Sequence, residues 1–479
     1  MGAAAGDIAI NVDGAADGPA KAAAAGDPSP PPSGAPKPGG RLFFLDWLRT
    51  ALTALVVVHH CINLIVPEPD PISFGISYRW RRWPTSVDFM GLSAILGSDQ
   101  AYFMGLFFLL AGYCTPSSLA RKGPARYLGD RCLRLLVPLA AYELLLGPAV
   151  YAIAQKGATL DFGPEGLAEA PSVYRWYFQR YIAVGHNPMW FVALLFIFDL
   201  IYVACASASA ALRTRRRANA AGGSGRVEGE PEAAGGAALP IKEVAPPPVE
   251  PFTPRQMASF MVPFALYSIV VMYGIRISSV GDSWTNVGVN FWVAFTVPAF
   301  FLGARLKRCN ALQRLPERFC FACMAVALVV FSLGFAMEWG MRLNAGIDTR
   351  PPQMTVGWRF FYTFTEQVFA VLWSAGLLAF FRRFANCDYR PAAAAAGGGG
   401  GCCVGACTPS WRGLAAALVG SAYAGYIIHP LFVTGFAVLL NMAALPPAGW
   451  VATLCVCATV STFLAAMAVK AIPGAGRIL

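Results

Sequence analysis

Long apolar segments separated by short polar ones make up most of the chain. Ten such segments follow residue 41, and most approach the ~20 residues that a helix needs to cross a bilayer. They cover residues 43–66, 101–118, 133–154, 189–206, 257–275, 288–304, 319–337, 360–381, 415–440 and 449–471. A lipid core offers no hydrogen bonds to backbone groups, so an apolar segment is stable there as a helix. The pattern therefore predicts an all-α integral membrane protein, a bundle of about ten transmembrane helices.

The polar stretches outside these segments predict flexibility rather than further folded domains. Residues 1–40 are rich in Ala, Gly and Pro and contain no apolar stretch typical of a signal peptide, so we expect a disordered tail. Residues 207–256 and 384–411 are low-complexity, and the second of these contains the run PAAAAAGGGGG. The expected organisation is one membrane domain over 41–474, interrupted by flexible cytoplasmic inserts at 207–256 and 384–411.

The composition is typical of a membrane protein. The net positive charge alone would suggest a nucleic-acid-binding protein, but its distribution argues against that. The chain is 56% hydrophobic and 13% charged, with a mean hydropathy of +0.52. Its net charge of +11 would suit nucleic acid, but the basic residues lie in short loops and nothing resembles a base-reading module. The loops after even-numbered segments carry about twice as many Lys and Arg residues as the other loops. This asymmetry predicts that both termini are cytoplasmic.

The cysteines do not indicate a metal site or a disulfide framework. Cys402, Cys403 and Cys407 cluster in the Gly-rich insert, but no nearby His or second CxxC pair completes a zinc-type ligand set. We interpret the cluster as coincidence and expect no metal cofactor. Several other cysteines lie inside apolar segments, where a buried thiol behaves as a small hydrophobe.

The first apolar segment carries ionisable residues, which are costly inside a bilayer and are therefore functional candidates. Arg49 and His60 are eleven positions apart, which is close to three full helical turns, so they share one face about 16 Å apart. Asp46 lies three positions before Arg49 and can pair with it. His59 points about 100° away from His60.

Two interpretations of this helix follow from the residues alone. Asp46 and Arg49 could form an interfacial ion pair while the histidines merely bond to neighbouring helices. Alternatively, the helix carries a polar seam that binds an anion at Arg49 and handles protons at His60. Histidine suits the second role because its ordinary pKa lies near neutrality.

Other ionisable residues also permit a structural and a functional interpretation. Arg131 and Arg134 could anchor the third helix on the positive side of the membrane or clamp a phosphate. Glu366 lies within the eighth helix and could be the partner of a buried Arg or His. His429 precedes Pro430, which could simply mark a kink. The case for a functional role is weaker for Asp199 and Glu143.

Several short sequence elements resemble those of the acyltransferase 3 family of membrane acyltransferases. The spacing Arg49-x10-His60, preceded by Leu-Asp-Trp-Leu, is similar to the first helix of that family and selects His60 rather than His59. The stretch FFLLAGY at 107–113 is similar to a second element, although Ala111 stands where Ser is usual.

Three further elements follow in the order that the family shows. They are the RxxR pair Arg131 and Arg134, the stretch PMWFVALL at 188–195, and the Tyr-x-x-Tyr-x-x-His-Pro element at 423–430. Each element alone is a weak signal, and together they cover nearly the whole chain outside the tail and inserts.

The resemblance implies transfer of an acyl group, often acetyl, from a cytoplasmic acyl-CoA to a hydroxyl on a carbohydrate, lipid or small molecule. It implies that His60 acts as general base or acyl relay, and that Arg49, Arg131 and Arg134 bind the anionic donor. We add Asp46, His429 and Glu366 as expected substrate-binding or donor-binding residues. The expected partners are membrane lipid, acyl-CoA and the hydroxylated acceptor.

Two other functions share part of this support. A transporter of an anionic or acylated solute would also have buried charges and helices broken by Gly and Pro, but no inverted repeat is visible. A non-catalytic membrane scaffold is the third hypothesis.

Overall fold

The apolar segments form a helical bundle. A computed structural model describes residues 42–64, 86–162, 187–223, 250, 252–277, 289–345, 356–387, 389, 409–443 and 445–479, and over these residues it contains no strand. The ten long helices are α1 (Phe43–Asn63), α2 (Ser86–Lys122), α3 (124–162), α4 (Trp190–Gly223), α5 (Pro254–Ile277), α6 (Val289–Arg308), α7 (Glu317–Ala345), α8 (Val356–Phe384), α9 (Pro409–Asn441) and α10 (Pro447–Ala471). A short α11 (Ala475–Ile478) follows. The predicted all-α membrane bundle of about ten helices is confirmed.

Nine stretches of the described residues are long and apolar enough to cross a membrane. They belong to all the long helices except α6, whose last turn carries Arg305, Lys307 and Arg308. Helix α6 packs along α2, α7 pairs with α8, and α9 pairs with α10. Helix α1 lies among α2, α8, α9 and α10, which explains why its ionisable side chains are largely enclosed.

Helix α2 begins earlier than its hydropathy predicts. The apolar pattern places its start near 101, whereas the helix begins at Ser86 and the candidate span begins at Ala94. The added turns contain Asp99, which lowers the local hydropathy but is only 5% exposed. A partner on another helix, rather than lipid, accommodates this carboxyl.

Helix α3 is interrupted by two wider turns. Its α-helical pieces Pro124–Arg131, Val137–Ala141 and Gly147–Phe162 are joined by the π turns Cys132–Leu136 and Tyr142–Leu146. Such π turns are rare and frequently occur at functional sites. Because Arg134 lies within the first π turn and Arg131 directly precedes it, the α-helical rule that puts residues i and i+3 on one face does not apply to them.

Helix α4 continues well past its predicted end at 206. Its 34 residues would span about 51 Å, whereas a bilayer core is ~30 Å thick. The first part of the predicted insert at 207–256 is therefore helical up to Gly223. Residues 224–249 of that insert, residues 390–408 of the other, and the predicted tail 1–40 lie outside the described residues.

Helices α2 and α6 approach closely through two glycines. A methyl group on Gly112 would collide with the backbone carbonyl of Phe300, and one on Gly303 would collide with the carbonyl of Leu109. Small residues permit this kind of backbone contact between membrane helices. The glycine of the FFLLAGY stretch therefore has a packing role.

Replacement of Gly112 by Ala is expected to destabilise the protein by about 1–3 kcal/mol, because the added methyl must push α6 away from α2. Thermal unfolding of the detergent-purified protein measures this. The matched control is Gly435→Ala, since a methyl on that helical glycine meets no atom within 4 Å. Equal unfolding temperatures for the two variants would contradict the packing role.

Candidate active site

The two ends of α1 hold different groups of polar side chains. Its first turns carry Asp46 and Arg49, and its last turns carry His59 and His60. We call these regions the Arg49 end and the His60 end of the bundle. With a rise of 1.5 Å per residue, Arg49 and His60 lie about 16 Å apart along the helix.

At the Arg49 end, the guanidinium is held by neighbours on two helices. Arg49 Nη1 lies 3.7 Å from Asp46 Oδ1 on the same helix. Arg49 Nη2 donates to Cys114 Sγ of α2 at 3.3 Å. Asp46 is buried, whereas the Arg49 side chain keeps 22% exposure, so an anion approaching from this end would meet the guanidinium.

The segment just after α8 closes over this group. Tyr389 is buried, its hydroxyl donates to Asp46 Oδ2 at 2.9 Å, and its ring lies edge-on to Phe43 and Trp47. Asn386 Oδ1 accepts from the backbone N–H of Phe44 at 3.4 Å, an N–H that the start of a helix leaves without an internal partner. The start of the insert predicted at 384–411 is therefore packed against α1.

Arg131 belongs to a second network at the same end. Its Nε lies 3.0 Å from Asp199 Oδ2 of α4 and donates to the Tyr127 hydroxyl, also at 3.0 Å. The hydroxyls of Tyr127 and Thr115 both donate to Asp199 Oδ1. Asp199, which carried only a weak argument from sequence, is fully buried and is the ionic partner of Arg131.

Arg134 lies within the π turn of α3, and its backbone connects α3 to α9. In an α-helix its carbonyl would pair with the N–H of residue 138, but Pro138 has none. The Tyr423 hydroxyl donates to this carbonyl at 2.8 Å. Tyr426, one turn later, donates to the carbonyl of Pro188 at the start of α4. The two tyrosines of the 423–430 element thus join the RxxR and PMWF elements.

At the His60 end, three imidazoles lie together. The rings of His60 and His429 are stacked, with centroids 5.0 Å apart and planes 21° from parallel. The ring of His59 lies edge-on to His60 at 5.6 Å. His59 Nδ1 faces Asp99 Oδ2 of α2 at 3.9 Å. The structure thus brings together two of the predicted site residues, His60 and His429, and adds His59 and Asp99 beside them.

Four polar atoms in this group are buried and make no hydrogen bond within the described part of the chain. They are His59 Nδ1, His60 Nδ1, Asp99 Oδ2 and His429 Nε2. Buried polar atoms are ordinarily hydrogen-bonded, so each exception needs an explanation, and a role in catalysis is one of those that apply. This end of α1 therefore has unused hydrogen-bonding capacity for a substrate.

Glu366 is half-buried and has an ionic partner, which lies on α5 and not on α1. Its Oε2 lies 2.8 Å from Arg276 Nη2 of α5, and Gln367 donates to the same oxygen at 3.1 Å. Arg276 also donates to Thr363 at 2.8 Å and lies over the Tyr362 ring. Glu366 thus joins α8 to α5, and its predicted role in binding substrate or donor stays a prediction.

No group of three or more His, Cys, Asp or Glu side chains that could hold a metal ion occurs in the part of the chain described. The predicted coincidental cluster of Cys402, Cys403 and Cys407 lies outside those residues.

Sequence reasoning missed Cys114, Asp99 and Tyr389 as contacts of the candidate site, and it ranked Asp199 low. An acidic residue in an apolar segment is the signal that marked Asp199, whereas Asp99 precedes the predicted segment 101–118. No local pattern marks Cys114 or Tyr389, because their partners on α1 are distant in sequence.

Comparison with known protein families identifies a family to which the chain belongs. The family Acyl_transf_3, described as an acyltransferase domain, matches residues 42–467. Neither a curated protein nor a solved structure matches the chain. The match covers every helix from α1 into α10, including both ends of the candidate site, and it confirms the resemblance seen in the sequence.

Proposed function

The chain belongs to the Acyl_transf_3 family of acyltransferases, and on that premise we propose that it moves an acyl group from a cytoplasmic acyl-CoA to a hydroxyl group. Acetyl-CoA is the expected donor. The acceptor is a hydroxyl on a carbohydrate, a lipid or a small molecule. The proposal includes the orientation predicted from loop charge, with both termini and the Arg49 end on the cytoplasmic side.

The observation that carries this proposal is the division of one buried helix into a cationic end and an imidazole end. Arg49 donates to Cys114, and Arg131 and Lys307 of α6 lie near enough to interact electrostatically with the same residue. Asp46 and Asp199 are the carboxylates paired with them, which leaves an excess of positive charge. A polyanionic CoA needs such cations, and arginine suits phosphate because its fork binds two oxygens.

At the His60 end, His60 is the residue that we assign to the reaction itself. The ~16 Å between Arg49 and His60 allows the extended arm of a CoA anchored at the Arg49 end to carry its thioester toward the imidazoles. His60 acts there as general base or acyl relay, and His429 binds substrate beside it. A general base must lie within hydrogen-bond reach of the hydroxyl proton, and the unused polar atoms of this end support such binding.

Purified protein in lipid vesicles tests the proposal. Wild type is expected to release CoA from acetyl-CoA when supplied with a lipid and glycan extract of the expressing cells, and the acetyl group should appear in that extract. If wild type releases no CoA while a solute crosses the vesicle membrane, the donor assignment is wrong.

The variant Arg49→Ala tests donor binding separately. Loss of a charge-assisted contact worth ~1.5–3 kcal/mol should raise the KM for acetyl-CoA about 10- to 100-fold. The matched control is Arg213→Ala, because Arg213 is exposed on the extension of α4 and should leave this KM unchanged. An Arg49→Ala variant with an unaltered KM would remove Arg49 from the donor site.

A further inference from the structure

The His-Pro dipeptide of α9 holds its imidazole in one hydrogen-bonding arrangement. Helix α9 continues through Pro430 from Pro409 to Asn441. In an uninterrupted α-helix, the carbonyl of Tyr426 would accept from the N–H of residue 430, four positions later. Pro430 has no N–H, so this carbonyl loses its helical partner.

His429 takes the place of the missing donor. Its Nδ1 lies 2.6 Å from the carbonyl oxygen of Tyr426. A carbonyl only accepts hydrogen bonds, so Nδ1 must carry the proton and donate. In a neutral imidazole, Nε2 is then unprotonated and its lone pair is an acceptor. The tautomer of His429 therefore follows from the proline beside it.

The lone pair on Nε2 is available for a ligand. His429 is 0% exposed, and its Nε2 makes no hydrogen bond to any described residue. The ring of His60 lies stacked against it. Satisfying the Tyr426 carbonyl uses Nδ1 alone, so Nε2 can accept a hydrogen bond from a ligand beside His60.

The ring is also held rigidly from its own helix. Tyr426, whose carbonyl fixes His429, donates its hydroxyl to the Pro188 carbonyl and packs its ring edge-on against Phe191. Pro188 and Phe191 belong to the PMWF element at the start of α4. The atom that orients His429 is therefore anchored to a second helix, as a catalytic base requires.

We propose that His429 is the general base that binds the acceptor hydroxyl through Nε2 and removes its proton. This inference rests on the proposed acyl transfer and specifies one catalytic residue within it. The hydroxyl proton passes to Nε2, the hydroxyl oxygen bonds to the acyl carbon, and the bond between that carbon and the CoA sulfur breaks. The thiolate leaves with the electron pair and then receives the proton from His429. This step assigns to His429 the proton removal that was one of the two roles proposed for His60, and His60, stacked against it, contacts the acyl group.

A double variant distinguishes a catalytic role of His429 from a purely structural one. In Pro430→Ala the N–H of residue 430 returns and can satisfy the Tyr426 carbonyl without His429. The variant His429→Ala/Pro430→Ala should therefore unfold at a higher temperature than His429→Ala, yet its kcat for CoA release should stay about 100-fold or more below wild type. Recovery of wild-type kcat in the double variant would show that His429 only satisfies the carbonyl, and would overturn the inference.

The single variant Pro430→Ala gives a second readout. It leaves the imidazole in place but lets Nδ1 lose its fixed partner, so kcat should fall several-fold while the KM for acetyl-CoA stays constant. The matched control is Pro263→Ala, an exposed proline inside α5, which should leave kcat unchanged. A Pro430→Ala variant with wild-type kcat would contradict the fixed tautomer as a catalytic requirement.

Failure of the underlying function is recognised in the same experiment. A wild type that releases no CoA from acetyl-CoA overturns the acyl-transfer proposal and the inference together. A wild type that releases CoA, with a double variant equal to it, overturns the inference alone.

Discussion

Replacing His60 by Ala is expected to lower kcat for CoA release by about 100-fold, the loss that misplaced reacting groups can cause. The physical reason is its place in the group of imidazoles, where its ring is stacked on His429 and its Nδ1 is buried without a hydrogen bond to a described residue. Purified protein in vesicles, with free thiol measured over time, gives this value directly.

The neighbouring His59 is the matched control for this variant. Both histidines end the same helix, but His59 faces Asp99 instead of His429. His59→Gln keeps a polar side chain there and should lower kcat by much less than His60→Ala. If His59→Gln abolished transfer and His60→Ala did not, the choice of His60 from the Arg49-x10-His60 spacing would be wrong.

Replacing Arg131 by Ala is expected to destabilise the protein by about 3–5 kcal/mol, because the change leaves the Asp199 carboxylate buried without its cation. Asp199 is fully buried and, among the described residues, would keep the hydroxyls of Tyr127 and Thr115 as its donors. Thermal unfolding in detergent measures the loss. The control pair is Lys122 and Asp130, which is more exposed, so Lys122→Ala should cost less than about 1 kcal/mol.

A paired variant then separates the effect of Arg131 on stability from its effect on donor binding. In Arg131→Met/Asp199→Asn neither buried charge remains, and the amide can still bond to Tyr127, so most of the stability should return. The KM for acetyl-CoA should nevertheless stay raised, because the cation itself is missing. A paired variant with wild-type KM would show that Arg131 is a structural residue that serves Asp199 alone.

The helices could be predicted because lipid imposes a simple rule on the sequence. Wherever the chain faces lipid, it must be apolar for about 20 residues, and hydropathy detects that. The errors occur where another influence replaces lipid. The first turns of α2 were missed because Asp99, which lies beside His59, lowers their hydropathy, and α4 continues as a helix beyond the length that a bilayer requires.

The candidate site could be predicted only along single helices. Helical periodicity placed Arg49 and His60 on one face, since that relation depends on spacing within α1. The pairs Arg49 with Cys114, Arg131 with Asp199, and Asp46 with Tyr389 depend on which helices become neighbours. No local pattern encodes that choice. The hydrogen bond to the Tyr426 carbonyl could be predicted in part. Pro430 shows in the sequence that this carbonyl lacks its helical donor, but not that His429 replaces that donor.

The contact between Tyr389 and Asp46 joins residues 343 positions apart, and this separation has a consequence for biosynthesis. A ribosome delivers α1 to the membrane long before residues 386 and 389 or His429 exist. During that interval α1 must keep a carboxylate, a guanidinium and two imidazoles in or near lipid, where such groups are costly. Helix α2 is the first element to arrive with partners, Cys114 for Arg49 and Asp99 for His59. Nascent chains that stop before α9 therefore retain a polar first helix with an incomplete set of neighbours, which gives membrane quality control a feature by which to distinguish them from the finished enzyme.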